Sequence, residues 1–238
     1  NVAIEVAKQV ADALLGRGCR NAVNVPCVDP EAYKAIRPYV TLAEKMGLVI
    51  GQLSEGRMQE VKIEYSGEIV QHDMASVTIA FLKGVLTPIL QETVNYVNAS
   101  FIAKERGIKI VETKTSQIEE FANLITIEAN TDKSKVVVAG TLSPRKNPRI
   151  VKINDFYVEA STVGYLLVLI NEDKPGIIGH IGTILGKHKI NIAGMTLGRK
   201  KAGGNAMTVL NLDEEVPEAV MKEIRGAEHV IEAKLIRL

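Results

Sequence analysis

Tryptophan is absent from the chain, and aromatic residues make up only 4% of its 238 positions. Single-stranded nucleic acid, whose bases stack on exposed aromatic side chains, is therefore not an expected partner. A charge excess is missing as well. The 29 Lys and Arg nearly match the 28 Asp and Glu, and a net charge of +1 creates no overall field toward nucleic acid or an anionic membrane. Cysteine is scarce: Cys19 and Cys27 form no CxxC, and no His lies close enough to complete a zinc motif. Two free thiols in a reducing cytosol, and a cytoplasmic location, are the expectation. No run approaches 18 apolar residues, so no membrane span is expected. No signal peptide is visible. The chain opens at Asn1 without Met, directly in a helical pattern, as a piece of a longer or processed protein would.

Catalytic patterns are missing too. GxSxG and HExxH do not occur. His72 and Asp73 are adjacent in sequence and read as a polar helix cap. His180 and His188 read as surface residues of one helix, and His229 opens the last strand with no visible partner. Gly176, Gly179, Gly182 and Gly186 do not fit GxGxxG, so no nicotinamide cofactor is expected on this chain.

What is present is a globular balance of 46% apolar and 24% charged residues, enough for one large or two small domains. Val2, Val6, Val10 and Leu14 recur at helical spacing over 2–15, until Gly16-Arg17-Gly18 ends the pattern. The segment 21–30 ends in prolines and reads as a connector. A helical stretch interrupted by Pro38 runs to about Met46. A strand follows over 58–65, then two helical stretches, 74–91 and 94–107. Strands are expected at 108–113, 124–129, 136–142, 149–153 and 156–159, the last two paired through Asn154-Asp155. The whole reads as one mixed α+β unit.

After Ser161 the rhythm changes. Strand 165–170, helix 175–188, strand 190–199, a Gly203-Gly204 turn, strand 206–212, helix 217–225 and strand 229–236 follow in the order βαββαβ. This is the split-βαβ, ferredoxin-like plan. The fold class expected for the chain is α+β, an α/β sandwich of two units.

Two stretches carry candidate chemistry. "SPRKNPRIVK" (143–152) holds Arg145, Lys146, Arg149 and Lys152, either a solvated hairpin rim or an anion site. "NEDKPGIIGHIGTILGKHKINIAGM" (171–195) starts a helix at Pro175, a favoured first-turn residue. The first backbone N–H groups, at Ile177 and Ile178, lack intrahelical acceptors and suit a carboxylate. Gly176 and Gly179 let a ligand or a neighbouring subunit approach the backbone. Asp173 can receive an ammonium group. Asn191, opening the next strand, which is expected beside the first, offers both donor and acceptor. Together these groups describe a free α-amino acid; the alternative is that Asp173 caps the helix and Asn191 turns the chain.

The DxPGxxGxIGxxL…NI pattern of this stretch resembles the ACT domain, a regulatory module that binds amino acids. "NVAIEVAKQVADALLGRGCRNAVNVP" resembles the end of the substrate-binding lobe of the D-3-phosphoglycerate dehydrogenase family. "PYVTLAEKMG" and "VKIEYSGEI" resemble the intervening domain of its long form. The resemblance covers essentially the whole chain. It implies three parts: residues 1–20 closing the missing lobe, 21–160 an intervening domain and 161–238 an ACT domain. It further implies a parent enzyme that oxidises 3-phosphoglycerate with NAD, and L-serine as feedback inhibitor on Asp173 and Asn191, with Asn171 a third contact. Phosphate or phosphorylated substrate would be held near Arg149, and a homo-oligomer of at least two chains is implied. Glu159 departs from the family, in which a basic residue stands nearby. The catalytic and NAD-binding residues would lie elsewhere, and this chain alone would be inactive. The regulatory module of an iron–sulfur serine dehydratase and a purely structural assembly module are the alternatives.

Overall fold

The computed structural model describes residues 2–14, 30–90, 93–117 and 120–238. Both cysteines, and all but the last residue of the connector, lie outside them. The first helix, α1 (Val2–Leu14), forms as its periodicity requires, but its apolar stripe faces outward: Val2 is 79% and Leu14 83% exposed.

The second helix, α2, spans Pro30–Leu53. The expected break at Pro38 and stop near Met46 are both overturned. An internal proline costs about 3 kcal/mol, and burial of Leu42, Met46, Val49 and Ile50 on one side outweighs it. The helix also runs through Gly47 and Gly51, because α3 (Ala75–Leu86) crosses it there. A Cβ on Gly47 would lie 2.4 Å from the Phe81 carbonyl, and one on Gly84 of α3 would lie 2.0 Å from the Glu44 carbonyl. These glycines permit backbone contact between helices and do not end them. Asp73 accepts the Ala75 N–H at 3.0 Å ahead of α3, whereas the cap position itself is Met74, which makes no side-chain cap bond.

Six strands lie beneath: β1 (Met58–Gly67), β2 (Lys109–Thr115), β3 (Asn123–Thr131), β4 (Lys135–Leu142), β5 (Pro148–Ile153) and β6 (Phe156–Ser161). The short α4 (Ala99–Glu105) precedes β2, which pairs parallel to β1. The remaining pairs are antiparallel, in the order β2-β1-β3-β4-β5-β6. Val61, Ile63, Tyr65, Ile125, Ile127, Val138 and Ile150 point under the helices and are fully buried. The alternate residues, Lys62, Glu64 and Thr126 among them, face away.

The C-terminal unit has strands β7 (Tyr165–Glu172), β8 (Ile192–Arg199), β9 (Asn205–Leu212) and β10 (Val230–Arg237), with helices α5 (Ile177–Lys187) and α6 (Glu218–Arg225). Its sheet order is β10-β7-β9-β8, which completes the expected βαββαβ plan. β7 is apolar without alternation because both of its faces are covered. Leu167 and Leu169 pack under α5 and α6. Leu166 and Val168, with Met207, Val209 and Ile236, join the core of the first unit.

Polar contacts tie the two units together. The Gln52 amide mimics a strand residue at the β10 edge, accepting the Arg237 N–H at 3.0 Å and donating to the Arg237 carbonyl at 2.9 Å. Asn211 brackets Ser161 in the same way, at 3.1 and 2.9 Å. At the other edge, Thr196 of β8 donates to the Glu159 carbonyl of β6 at 2.8 Å.

Candidate functional site

Two expectations about 171–195 need correction. The helix starts at Ile177, not Pro175, because Gly176 is left-handed (φ 95) and its carbonyl accepts the first helical bond, from His180 N–H at 2.9 Å. A left-handed residue after Pro175 places the proline in the turn. The strand that Asn191 precedes, β8, does not lie beside β7, since the split topology inserts β9 between them.

The second correction separates the candidate residues. Ile192 pairs with Leu212, which pairs with Tyr165, so Asn191 sits at the start of β7. Asp173 follows Glu172 at the far end of β7. Eight residues of β7 lie between the two ends, roughly 26 Å at about 3.3 Å each.

The Asp173 end holds a built charge arrangement. The Asp173 carboxylate, only 18% exposed, accepts Gly203 N–H at 3.1 Å and the Arg199 guanidinium at 2.9 Å, both on Oδ2. The Gly203 bond first, and Arg199 second, hold its carboxyl below the usual range. Its own N–H donates to the Gly204 carbonyl at 2.7 Å, so the turn after β8 folds over it. Beside it, Ile177 and Ile178 open α5. Ile177 is buried, Ile178 half-buried and Gly176 exposed. No acceptor for the N–H groups of Ile177 and Ile178 occurs among the described residues. Asn171 is 1% exposed, and its amide is engaged by the Thr208 hydroxyl at 2.9 Å and by the Glu172 carbonyl at 2.8 Å. Direct contact with a ligand is closed to it here, and it braces the strand end instead. His229, expected to lack a partner, contacts Glu172 Oε2 through Nδ1 at 3.0 Å.

The Asn191 end is exposed. The Asn191 amide donates to Asp213 Oδ2 at 2.6 Å, and its backbone N–H donates to Glu214 at 3.0 Å. Between the ends runs the outer face of α5. A Cβ built on Gly179, Gly182 or Gly186 meets nothing within 4 Å among the described residues. Met195 (49%) and Leu197 (37%) of β8 are also exposed on this helix side of the sheet.

The four cations of 143–152 do not form one cluster. Arg145 and Lys146 stand exposed at the β4–β5 turn, where Lys146 is left-handed (φ 60). Arg149 and Lys152 line two adjoining cavities on the open face of the six-stranded sheet, of about 490 and 330 Å³. Among the described residues Arg149 reaches only the Pro148 carbonyl, at 3.4 Å, and Lys152 lies 5.5 Å over the Tyr157 ring. Glu159 and Glu120 share the Arg149 cavity, so its charge is mixed.

Sequence reading missed Arg199, Gly203 and Asp213, whose partners are remote in sequence. The one available signal was a basic residue closing a strand just before a glycine turn. Among the described residues no group of three or more His, Cys, Asp or Glu could hold a metal, and no helix is long and apolar enough to cross a membrane.

The profile of the D-3-phosphoglycerate dehydrogenase intervening domain matches residues 35–154, and that of the ACT domain matches residues 165–229. The chain is 36% identical over its whole length to a D-3-phosphoglycerate dehydrogenase of Synechocystis, of which it covers 43%. It is 38% identical over 98% of its length to that of Methanocaldococcus jannaschii, covering 44%. It is 35% identical over its whole length to that of Bacillus subtilis, covering 45%. The chain thus spans less than half the length of these relatives.

Proposed function

Since the chain belongs to the D-3-phosphoglycerate dehydrogenase family, of which it carries the intervening domain and the ACT domain as a regulatory region, we propose that it binds L-serine at the Asp173 end of the ACT sheet. Serine would act there as feedback inhibitor of an NAD-dependent oxidation of 3-phosphoglycerate, the first step of serine biosynthesis. Residues 1–20 then close a preceding lobe, 21–160 form the intervening domain and 161–238 the ACT domain. NAD binds elsewhere in the longer protein. Asp173 takes the ammonium on Oδ1, the Ile177 and Ile178 N–H groups receive the carboxylate, and Gly176 keeps the approach open. Asn191 comes from a second copy, since its own lies at the far end of the sheet.

The observation that carries this reading is the glycine face of α5. A helical glycine costs about 1 kcal/mol relative to alanine. Nothing among the described residues uses the space left at Gly179, Gly182 and Gly186. A second chain packed antiparallel on that face uses it, and a two-fold axis through the middle of α5 brings each Asn191 end to the partner's Asp173 end.

Calorimetry with L-serine, glycine and L-alanine tests the reading. Asp173→Ala and Asn191→Ala are each expected to weaken serine binding by about tenfold or more, as loss of a charge-assisted bond does. Equal affinity of wild type and both variants would remove the site, and binding of another amino acid in place of serine would replace the ligand. As a second reading, the Arg149 cavity takes phosphate or a phosphorylated acid. It is favoured by a half-buried guanidinium whose one bond, among the described residues, is a long contact to the adjacent carbonyl.

A further inference from the structure

We propose that Arg199 is a specificity-determining residue of the effector site: with Asp173 it forms a half-used ion pair that reads both charges of a zwitterion. The inference rests on the amino-acid reading above and assigns the ligand carboxylate a side-chain partner. Arg199 closes β8 and Asp173 follows β7, and they meet across the end of β9 because the 200–204 turn folds back over Asp173. Arg199 Nη1 reaches Asp173 Oδ2 at 2.9 Å, the same oxygen that accepts Gly203 N–H at 3.1 Å. Among the described residues, Asp173 Oδ1 and the rest of the guanidinium have no partner. A saturated Arg–carboxylate pair is a bidentate fork. This one engages a single oxygen and one of five N–H donors. The carboxylate is 18% exposed and the guanidinium 54%. A free acceptor oxygen and free N–H donors therefore stand side by side, matching the ammonium and carboxylate of an α-amino acid. A ligand carrying only one of those charges satisfies half of the pair.

The backbone that presents Arg199 is fixed on both sides. Gly198 packs so closely on β6 that a Cβ would lie 2.4 Å from the Tyr157 carbonyl. Lys200 holds Asp155, in the β5–β6 turn, at 2.6 Å. The side chain is free to re-aim while its anchor stays clamped to the intervening domain. A ligand held by Arg199 thus pulls directly on a segment that the other domain grips.

The test is calorimetry of the whole chain with L-serine and with L-serinamide, which keeps the ammonium and hydroxyl but replaces the carboxylate by a neutral amide. Wild type, Arg199→Ala, Arg199→Lys and Asp173→Ala are compared, with circular dichroism to verify folding. Wild type is expected to prefer L-serine over L-serinamide by about tenfold or more. Arg199→Ala should lose that preference by weakening serine while leaving serinamide nearly unchanged, and Arg199→Lys should recover part of it. An undiminished preference in Arg199→Ala overturns the role, and so does tighter serine binding, which would make Arg199 only a competing counter-ion. If Asp173→Ala loses serine but Arg199→Ala does not, the amino-acid site stands and Arg199 falls from it. If wild type binds no amino acid, both ideas fall together.

Discussion

Asp173 and Asn191 stand at opposite ends of one β-sheet, separated by the full eight residues of β7. No ligand the size of serine touches both within a single chain. A shared site therefore requires two copies, and sedimentation should show at least a dimer. Subunit mixing gives a sharper readout. Asp173→Ala and Asn191→Ala proteins, each deficient in serine binding, should regain it when mixed. A hybrid dimer carries one site with both residues intact and one with neither, so about half the dimers formed by random exchange should hold one working site. Mixing without any recovery would place the two residues in separate roles.

The glycine face of α5 yields a test in which stability and assembly move in opposite directions. Gly182→Ala adds a Cβ that meets nothing among the described residues. On helix propensity it should stabilise the isolated fold by about 0.5–1 kcal/mol. The same methyl group enters the space assigned to the second copy, so dimerisation and serine affinity should fall. A rise in urea midpoint together with a rise in the dimer dissociation constant is the expected pair of results.

Gly84→Ala is the internal contrast. Its Cβ would lie 2.0 Å from the Glu44 carbonyl, at the α2–α3 crossing. The helices must separate, at a cost of about 2–4 kcal/mol. A thermal melt should show a large loss, where Gly182→Ala shows none.

Arg149→Ala should reduce phosphate or 3-phosphoglycerate binding, whereas Lys146→Ala, at the turn tip, should change it little. Added salt should weaken the wild-type interaction. Equal effects of the two substitutions in a titration would return all four cations to a solvated rim.

Glu128 gives the pH dependence a defined sign. Lys135 first, then the Asn130 amide, pull its carboxyl from an ordinary 4.5 down to about 2. A depressed carboxylate contributes stability above its unfolded value, and that contribution is lost as pH falls from about 4.5 toward 2. The site is partly exposed, so about 0.5–1 kcal/mol is expected at neutral pH. Urea denaturation of wild type and Glu128→Gln should differ by that amount at about pH 7, and the gap should narrow at about pH 3.

Much of the fold was legible without coordinates. The βαββαβ order followed from period-2 and period-3.6 patterns and from the turn at Gly203-Gly204, and the β5–β6 hairpin from Asn154-Asp155, all signals carried by neighbouring residues. The pattern that marks Asp173, Ile177 and Asn191 as candidates is local in the same way. Residues that need a remote partner were misread or passed over. Pro38 read as an interruption and α2 as ending near Met46 because their sequence neighbours do not reveal α3, which packs along the helix through Gly47 and Gly51. His229 looked unpaired because Glu172 lies 57 positions away. Arg199 was only the end of a strand until the turn after β8 carried it to Asp173. Local pattern determined which elements form and which side chains can do chemistry. Strand order decided which of those side chains meet, because the long-range pairings that insert β9 between β7 and β8 leave no periodicity in the chain that makes them.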